Sequence, residues 1–234
     1  SWIDYSVLED CMREHLNDAA ERRIAVLDPL KLVIDNYPGG QQEDCFAPNH
    51  PQKPELGKRA LPLTRELWIE REDFSETPPK GYFRLFPGNK VRLRYGYVVE
   101  CTGCDKDAGG NITAVHCNYL PETRSGTPGA ESVKVKGNIH WLSAQHAVPA
   151  EVRLYDRLFR AAHPGGGDRD FLLDLNPESR RIVSARVEGG LKDSAPGRCF
   201  QFERHGYFVA DLADFRADAP VFNRAVTLRD SWGK

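Results

Sequence analysis

The spacing of hydrophobic and polar positions predicts one helix followed by a long series of short strands. Hydrophobic residues recur at helical spacing from Leu8 to Ala19, and Ser6 with Glu9 has the form of a capping box, so a helix is expected to end near residues 17–18. After that point the period changes to two. β-branched and aromatic residues then predict strands at 30–34, 66–69, 83–86, 90–95, 112–119, 132–136, 181–187, 199–209 and 220–228.

Turn signals between these runs predict antiparallel hairpins. The segment 87–89 (PGN) joins two of the predicted strands, and 107–111 (DAGGN) closes another hairpin. A second helix is predicted at 152–161, with the glycine-rich loop 163–167 stopping it. One small barrel does not usually hold this many strands. The sequence therefore predicts an all-β fold of two antiparallel β-barrels, preceded by a short helical segment.

Size and composition predict a globular protein outside the membrane. A chain of 234 residues can build a sizeable core, and its sequence has no apolar run near the ~20 residues that a spanning helix needs. It does not begin with methionine, and its single methionine is Met12, so we expect a piece of a longer protein. The first residues lack the pattern of a secretory signal and the six cysteines lack the spacing of a disulfide scaffold, which predicts a cytoplasmic location.

The basic residues are mostly arginine, although the formal net charge is only −2. Arginine accounts for 22 of the 32 basic residues. Its planar fork pairs with phosphates and guanine edges, which favours nucleic-acid binding; a GC-rich genome is the alternative explanation. No phosphate-binding loop, zinc-protease motif or nucleophile elbow is present, so the sequence predicts no catalytic residue.

Four residues have the ligand types of a zinc site: Cys101, Cys104, His116 and Cys117. A regular hairpin around 107–111 would place Cys101 opposite Cys117. Alternation would then put Cys104 and His116 on the other face, unless Gly103 hosts a bulge. The sequence therefore predicts thiols without a metal.

Arg92 and Arg94 are the more promising pair for binding. In a regular strand Val91, Leu93 and Tyr95 would fill the barrel, while the two arginines project from the other face about 7 Å apart. That separation is close to the spacing of successive phosphates. The two candidate interpretations are a contact with a nucleic-acid backbone and a pair of solvated side chains.

Several longer blocks resemble the C-terminal part of bacterial glutaminyl-tRNA synthetases. They lie at 25–34 (AVLDPLKLVI), 48–51 (PNHP), 91–94 (VRLR), 134–141 (KVKGNIHW), 152–159 (VRLYDRLF), 176–179 (NPES), 200–204 (FQFER), 220–224 (PVFNR) and 228–232 (LRDSW). The resemblance covers nearly the whole chain. It implies the anticodon-binding region, with barrels related to ribosomal protein L25. Residues 1–24 would end a helical subdomain, 25–98 with 205–234 would form a proximal barrel, and 99–204 a distal barrel.

The resemblance also implies a set of RNA-binding residues. Arg22, Gln201 and Arg204 would line the pocket of the middle anticodon base. Arg84 would read the third base. Arg92 and Arg94 would hold the first base and adjacent phosphates. Asn17 would lie near the anticodon stem; Gln52 replaces an Asn that often touches the loop, and Gly81 and Phe83 replace polar residues before Arg84.

The implied partners are glutamine tRNA and a catalytic domain that precedes this region. This chain alone would hold no cofactor and no metal and would be inactive, whereas the parent ligase would use ATP and Mg. We expect a monomer with no membrane partner. Three alternatives remain open: a glutamyl-tRNA synthetase of the archaeal or eukaryotic type, an L25-like protein that binds 5S RNA, and a carbohydrate-binding barrel.

Overall fold

The computed structural model describes residues 4–229. Residues 1–3 and 230–234, which include the ends of the predicted segments 1–24 and 205–234 and of the block 228–232, lie outside the described residues. The regular elements are α1 (Tyr5–Ala19), β1 (Glu21–Arg23), β2 (Ala25–Val26), β3 (Pro29–Ile34), β4 (Glu43–Pro48), β5 (Lys58–Leu63), β6 (Glu66–Glu70), β7 (Lys90–Leu93), β8 (Val98–Lys106), β9 (Ile112–Tyr119), β10 (Gly137–Ile139), β11 (Leu142–Ser143), β12 (Val148–Tyr155), β13 (Arg180–Val187), β14 (Cys199–Phe202), β15 (Gly206–Ala210) and β16 (Val221–Val226). Short 3-10 segments lie at Pro54–Leu56, Arg71–Asp73, Pro121–Thr123, Phe171–Asp174 and Gly189–Asp193.

The chain forms two compact units. The larger one consists of residues 21–149 and 185–191, and its main sheet has the strand order β10-β7-β8-β9-β3-β6-β11. β3 shows how the sequence builds it: Leu30, Leu32 and Ile34 are fully buried, whereas the residues between them are half-buried. This period of two is the pattern of a strand with one face on a core. The hairpin β4–β5 adds Cys45, Ala47, Leu61 and Leu63 to the same core.

The other unit contains described residues 4–20, 150–184 and 192–229. Its strands neighbour one another in the order β14-β15-β16-β12-β13. Aromatic rings fill its centre: Phe202 stacks on Phe208 at 4.5 Å between centroids and meets Phe222 edge-on at 5.2 Å. α1 contributes Leu16 to a small cluster with Ala20, Tyr207 and Val226.

The predicted architecture, two barrel-like sheets preceded along the chain by one helix, is confirmed with differences in detail. Among the described residues, the strand pairs β10–β7, β3–β9 and β12–β16 are parallel rather than antiparallel. The helix begins at a different cap from the predicted one, because Asp4 rather than Ser6 is the N-cap and its carboxylate accepts the Ser6 amide at 2.8 Å. The barrel boundaries 25–98, 99–204 and 205–234 stay a prediction.

The predicted helix at 152–161 is wrong. Residues 148–155 form β12, in which Ala150, Val152 and Leu154 are buried and the residues between them are not. Parallel pairing of Glu151–Arg153 with Val221–Asn223 fixes this extended conformation.

Two predicted strands are also absent from the structure. Residues 83–86 form a single bridge, from Leu85 to Phe74, between the turns at Gly81 and Gly88. Residues 132–136 are irregular, and the strand begins only at Gly137. Within the described residues, none of the helices has the length and apolar character needed to cross a membrane.

Candidate nucleic-acid interface

Arg84 lies in the irregular segment before β7, with its side chain 37% exposed. Its Nη1 donates to Glu72 Oε1 at 3.2 Å and to the carboxylate of Asp73, which is fully buried. Asn89 Nδ2 donates to the Arg84 carbonyl at 2.6 Å and holds its backbone. Both hydrogen bonds of the guanidinium within the described chain leave from Nη1. The edge formed by Nε and Nη2 is therefore the one that can donate to a ligand.

Phe83 precedes Arg84 and is 53% exposed. The amine of Lys136 lies over its ring, 5.0 Å from the centroid. Gly137 allows the close approach of these two segments, because a Cβ at that position would overlap the carbonyl oxygen of Phe83. Phe83, Arg84 and Lys136 therefore form a surface that combines an exposed ring with two cationic side chains.

Arg92 lies on β7, and its guanidinium is held by the loop that follows β9 and by the turn between β7 and β8. Nη1 donates to the carbonyl oxygens of Thr123 at 2.9 Å and Gly96 at 3.3 Å, and Nη2 donates to that of Ala130. Nη1 also lies 3.3 Å from Ser125 Oγ. Carbonyl groups do not neutralise a cation, so Arg92 both orders this loop and keeps its charge.

Arg94 does not lie on the strand as predicted, since β7 ends at Leu93. Arg94 and Tyr95 form the turn into β8, and Tyr95 has a φ of 65°, in the left-handed region. Val91 and Leu93 are fully buried as predicted, whereas Tyr95 is only partly buried and lies 5.2 Å from the Arg94 guanidinium. The prediction that Arg92 and Arg94 project from the same face of one regular strand is therefore wrong.

Arg22 is buried on β1, with 6% exposure. The Arg22 backbone amide donates to the Asn49 carbonyl at 2.7 Å, and Arg23 Nη1 donates to the Arg22 carbonyl at 2.8 Å. Burial lowers the pKa of the neighbouring Arg23 guanidinium. Gln52 is exposed in the loop after β4, where its backbone amide donates to His50 Nδ1 at 3.2 Å.

In the other unit, a tyrosine hydroxyl joins two of the predicted RNA-binding residues. Gln201 Nε2 donates to Tyr207 Oη at 2.9 Å, and that hydroxyl donates to Asn17 Oδ1 at 3.3 Å. Tyr207 is not among the residues predicted from the sequence, although its position opposite Gln201 in a tight hairpin is a signal for it. This chain of hydrogen bonds fixes the orientation of the Gln201 amide.

Arg204 lies in the turn of the same hairpin, with a φ of 73°. Two residues three positions apart on one regular strand face opposite sides of the sheet. β14 ends at Phe202, so a strand end separates Gln201 from Arg204 and this restriction does not apply to them. Non-glycine residues in the left-handed region are uncommon and are enriched at functional sites. Arg22 belongs to the larger unit and Gln201 and Arg204 to the other, so their common pocket stays a prediction.

The cysteine hairpin differs from the predicted one by two register shifts, one between Cys101 and Gly103 and one between Asp105 and Lys106. Cys101 lies opposite Cys117 as predicted, and both are buried. The register shifts between Cys101 and Gly103, so Gly103 rather than Thr102 faces His116, and Cys104 packs against the core.

His116 lies on the other face of that hairpin and bonds to two carboxylates. Its Nε2 lies 2.9 Å from Asp105 and its Nδ1 2.9 Å from Asp35, and these bonds raise the pKa of His116. Within the described part of the chain, the three cysteines and His116 do not gather their ligand atoms into one metal-binding group.

Comparisons with known proteins identify the family to which the chain is similar. Two family models match, both described as the anticodon-binding domain of class I tRNA synthetases (E and Q); one covers residues 20–120 and the other 138–211. Similar curated proteins include the glutamine–tRNA ligases of Cupriavidus metallidurans (68% identical) and Ralstonia nicotianae (67%), each over the whole chain and 40% of the relative. That of Bordetella pertussis is 62% identical over 99% of the chain and 39% of its own length.

The chain spans about 40% of the length of these relatives. The two family models lie one after the other and together match more than half of its residues. The chain therefore belongs to the family of anticodon-binding domains of class I tRNA synthetases (E and Q).

Proposed function

We propose that this chain is the anticodon-binding part of a glutamine–tRNA ligase and that it recognises the anticodon loop of glutamine tRNA. The observation that carries the proposal is the identity of 62–68% to proteins named glutamine–tRNA ligase along the entire chain. The family description alone allows glutamate as well as glutamine. The named relatives favour glutamine.

Binding would rest on backbone neutralisation and on the capture of unstacked bases, which is how proteins read single-stranded RNA. Arg84 has the geometry for the third anticodon base. Its Nη1 is anchored by Glu72 and Asp73, and the Nε–Nη2 edge can donate twice to the O6 and N7 acceptors of guanine. In the other unit, Gln201 held by Tyr207 would read the middle base together with Arg204.

The longer protein would attach glutamine to the tRNA in a reaction that uses ATP and Mg, and its catalytic domain would lie outside this chain. We further propose that it acts in the cytoplasm as a monomer. The remaining five RNA-binding assignments, for Asn17, Arg22, Gln52, Arg92 and Arg94, are part of the same proposal.

The test is binding of this chain to anticodon stem-loops. Glutamine and glutamate tRNAs share a middle U and differ at the third base, which is G for glutamine and C for glutamate. We expect fluorescence anisotropy to show tighter binding to the G-containing stem-loop. Tighter binding of the C-containing one would replace glutamine by glutamate, and equal binding of an unrelated hairpin would contradict anticodon recognition.

A further inference from the structure

Phe83 is a large aromatic side chain that the fold leaves in solvent beside Arg84. Its exposure of 53% means that about half of the residue is uncovered. Leu85, two positions later, is fully buried. The segment thus packs on the core through Leu85 while it presents Phe83 outward.

The backbone beneath this ring is fixed on both sides. Gly137 packs against the Phe83 carbonyl so closely that no side chain fits there. The hydroxyl of Tyr82 donates to the Glu72 carbonyl at 2.9 Å, and Asn89 holds the Arg84 carbonyl at 2.6 Å. A ring on an ordered backbone loses little conformational entropy when a ligand stacks on it.

Two other phenylalanines of comparable exposure differ from Phe83 in their surroundings. Phe46 is 56% exposed on β4, where strand alternation puts Asp44 on the same face. Phe171 is 53% exposed but meets the ring of Phe159 edge-on at 6.4 Å. Phe83 instead has the Lys136 amine over one ring face, and the next residue is Arg84, whose Nη1 is paired with Glu72 and Asp73 while its Nε–Nη2 edge can donate to a ligand. Cations beside an exposed ring are the combination that binds single-stranded nucleic acid.

We propose that Phe83 is a stacking platform for an unstacked base of the anticodon loop, next to the base that Arg84 contacts. The proposal rests on the proposed function, since it names a further contact for the same RNA. Adjacent residues lie about 3.8 Å apart at Cα, so Phe83 and Arg84 can engage neighbouring nucleotides. Lys136 would pair with the phosphate beside the stacked base.

The experiment compares Phe83→Leu with Phe83→Tyr in this chain, using the anticodon stem-loop of glutamine tRNA. Leucine keeps an apolar side chain but removes the π face, so we expect binding about 5- to 100-fold weaker. Tyrosine keeps the ring and should bind within about twofold of the wild type, as expected when stacking tolerates any π face. Phe46→Leu is the matched control, because it makes the same change at an equally exposed phenylalanine of the same unit.

Two further measurements separate stacking from a structural role. Thermal melting should be the same for Phe83→Leu and Phe46→Leu, and the salt dependence of binding should not change, because no charge is lost. Two further stem-loops carry an abasic nucleotide, one before and one after the third anticodon base. With one of these two RNAs, the difference in affinity between wild type and Phe83→Leu should disappear.

Three results would overturn the stacking proposal while leaving the proposed function intact: leucine binding as well as phenylalanine, tyrosine failing to rescue, or an unchanged difference with abasic nucleotides on either side. Failure of the wild type to bind the stem-loop at all would instead contradict the proposed function itself.

Discussion

Glu188 and Arg59 form a buried ion pair in the larger unit, and Glu188→Gln tests how much it stabilises that unit. Arg59 Nε and Nη2 each donate to a Glu188 carboxylate oxygen at 2.7 Å, and one of these oxygens also accepts the Ile24 amide at 2.6 Å. The two side chains are only 12% and 9% exposed. Breaking a buried pair costs about 3–5 kcal/mol, because a charge is left buried without its counter-ion.

Glutamine keeps one acceptor oxygen, so we expect the lower end of that range, about 3 kcal/mol. For a chain of this size, that loss corresponds to a melting temperature lower by roughly 6–12 °C, followed by circular dichroism. Glu66→Gln is the control, since its pair with Lys31 at 3.0 Å is exposed and should contribute less than about 1 kcal/mol. Equal shifts for the two variants would refute the reasoning. So would a Glu188 shift that disappears in high salt, because buried pairs are little screened.

Two other predictions concern the candidate site and the acid stability of the other, smaller unit, which contains residues 192–229. Arg92→Lys should lower the melting temperature by an amount equivalent to about 1–3 kcal/mol, because an ammonium cannot reach both the Thr123 and Ala130 carbonyls as the fork does; melting identical to the wild type would contradict this. The pKa of Asp211 is lowered to about 2, first by the Asn223 side chain and then by backbone amides. Its contribution to stability is therefore present above pH 4 and lost as the pH falls toward 2, so urea unfolding of Asn223→Ala should differ from the wild type at pH 6 and converge with it near pH 2. A difference that does not depend on pH would contradict this.

Much of the fold could be predicted from local pattern. β9 begins and ends at the predicted residues, Ile112 and Tyr119, because its alternation is clear and a glycine-rich turn precedes it. The hairpin register from Lys106 to Cys101 was also predictable at both ends. The two register shifts between these ends, which leave Thr102 and Thr113 without a directly opposite partner, were not, since a bulge depends on how the two strands twist and pack rather than on the residue types at that point.

The error at 152–161 has a similar cause. Leu154, Leu158 and Ala161 fit helical spacing, whereas Ala150, Val152 and Leu154 fit a strand equally well. Pairing with β16, some seventy residues later in the chain, decides between helix and strand. Local propensity carries no information about so distant a partner.

For the candidate site, the resemblance seen in the sequence blocks is confirmed by the family models. What the sequence could not supply is the surroundings of each side chain. The carbonyl groups that hold Arg92 come from a loop about thirty residues further along the chain. The buried carboxylate beneath Arg84 comes from Asp73, on a separate 3-10 segment. Such partners follow from tertiary packing. Spacing along the chain therefore predicted the same environment for Arg92 and Arg94, whereas their environments in the structure differ.

The most direct test of anticodon recognition is a double-mutant cycle between Arg84→Ala and the third anticodon base. Loss of Arg84 should cost on the order of 1–3 kcal/mol of binding with G, and much less with C, because cytosine offers an amino donor that an arginine fork cannot pair with. Any structural cost of removing the partner of Asp73 acts on both RNAs and cancels in the cycle. Arg71→Ala, at another exposed arginine of the same unit, should show no dependence on the base. A penalty for Arg84→Ala that is equal for G and C would contradict base reading by this residue.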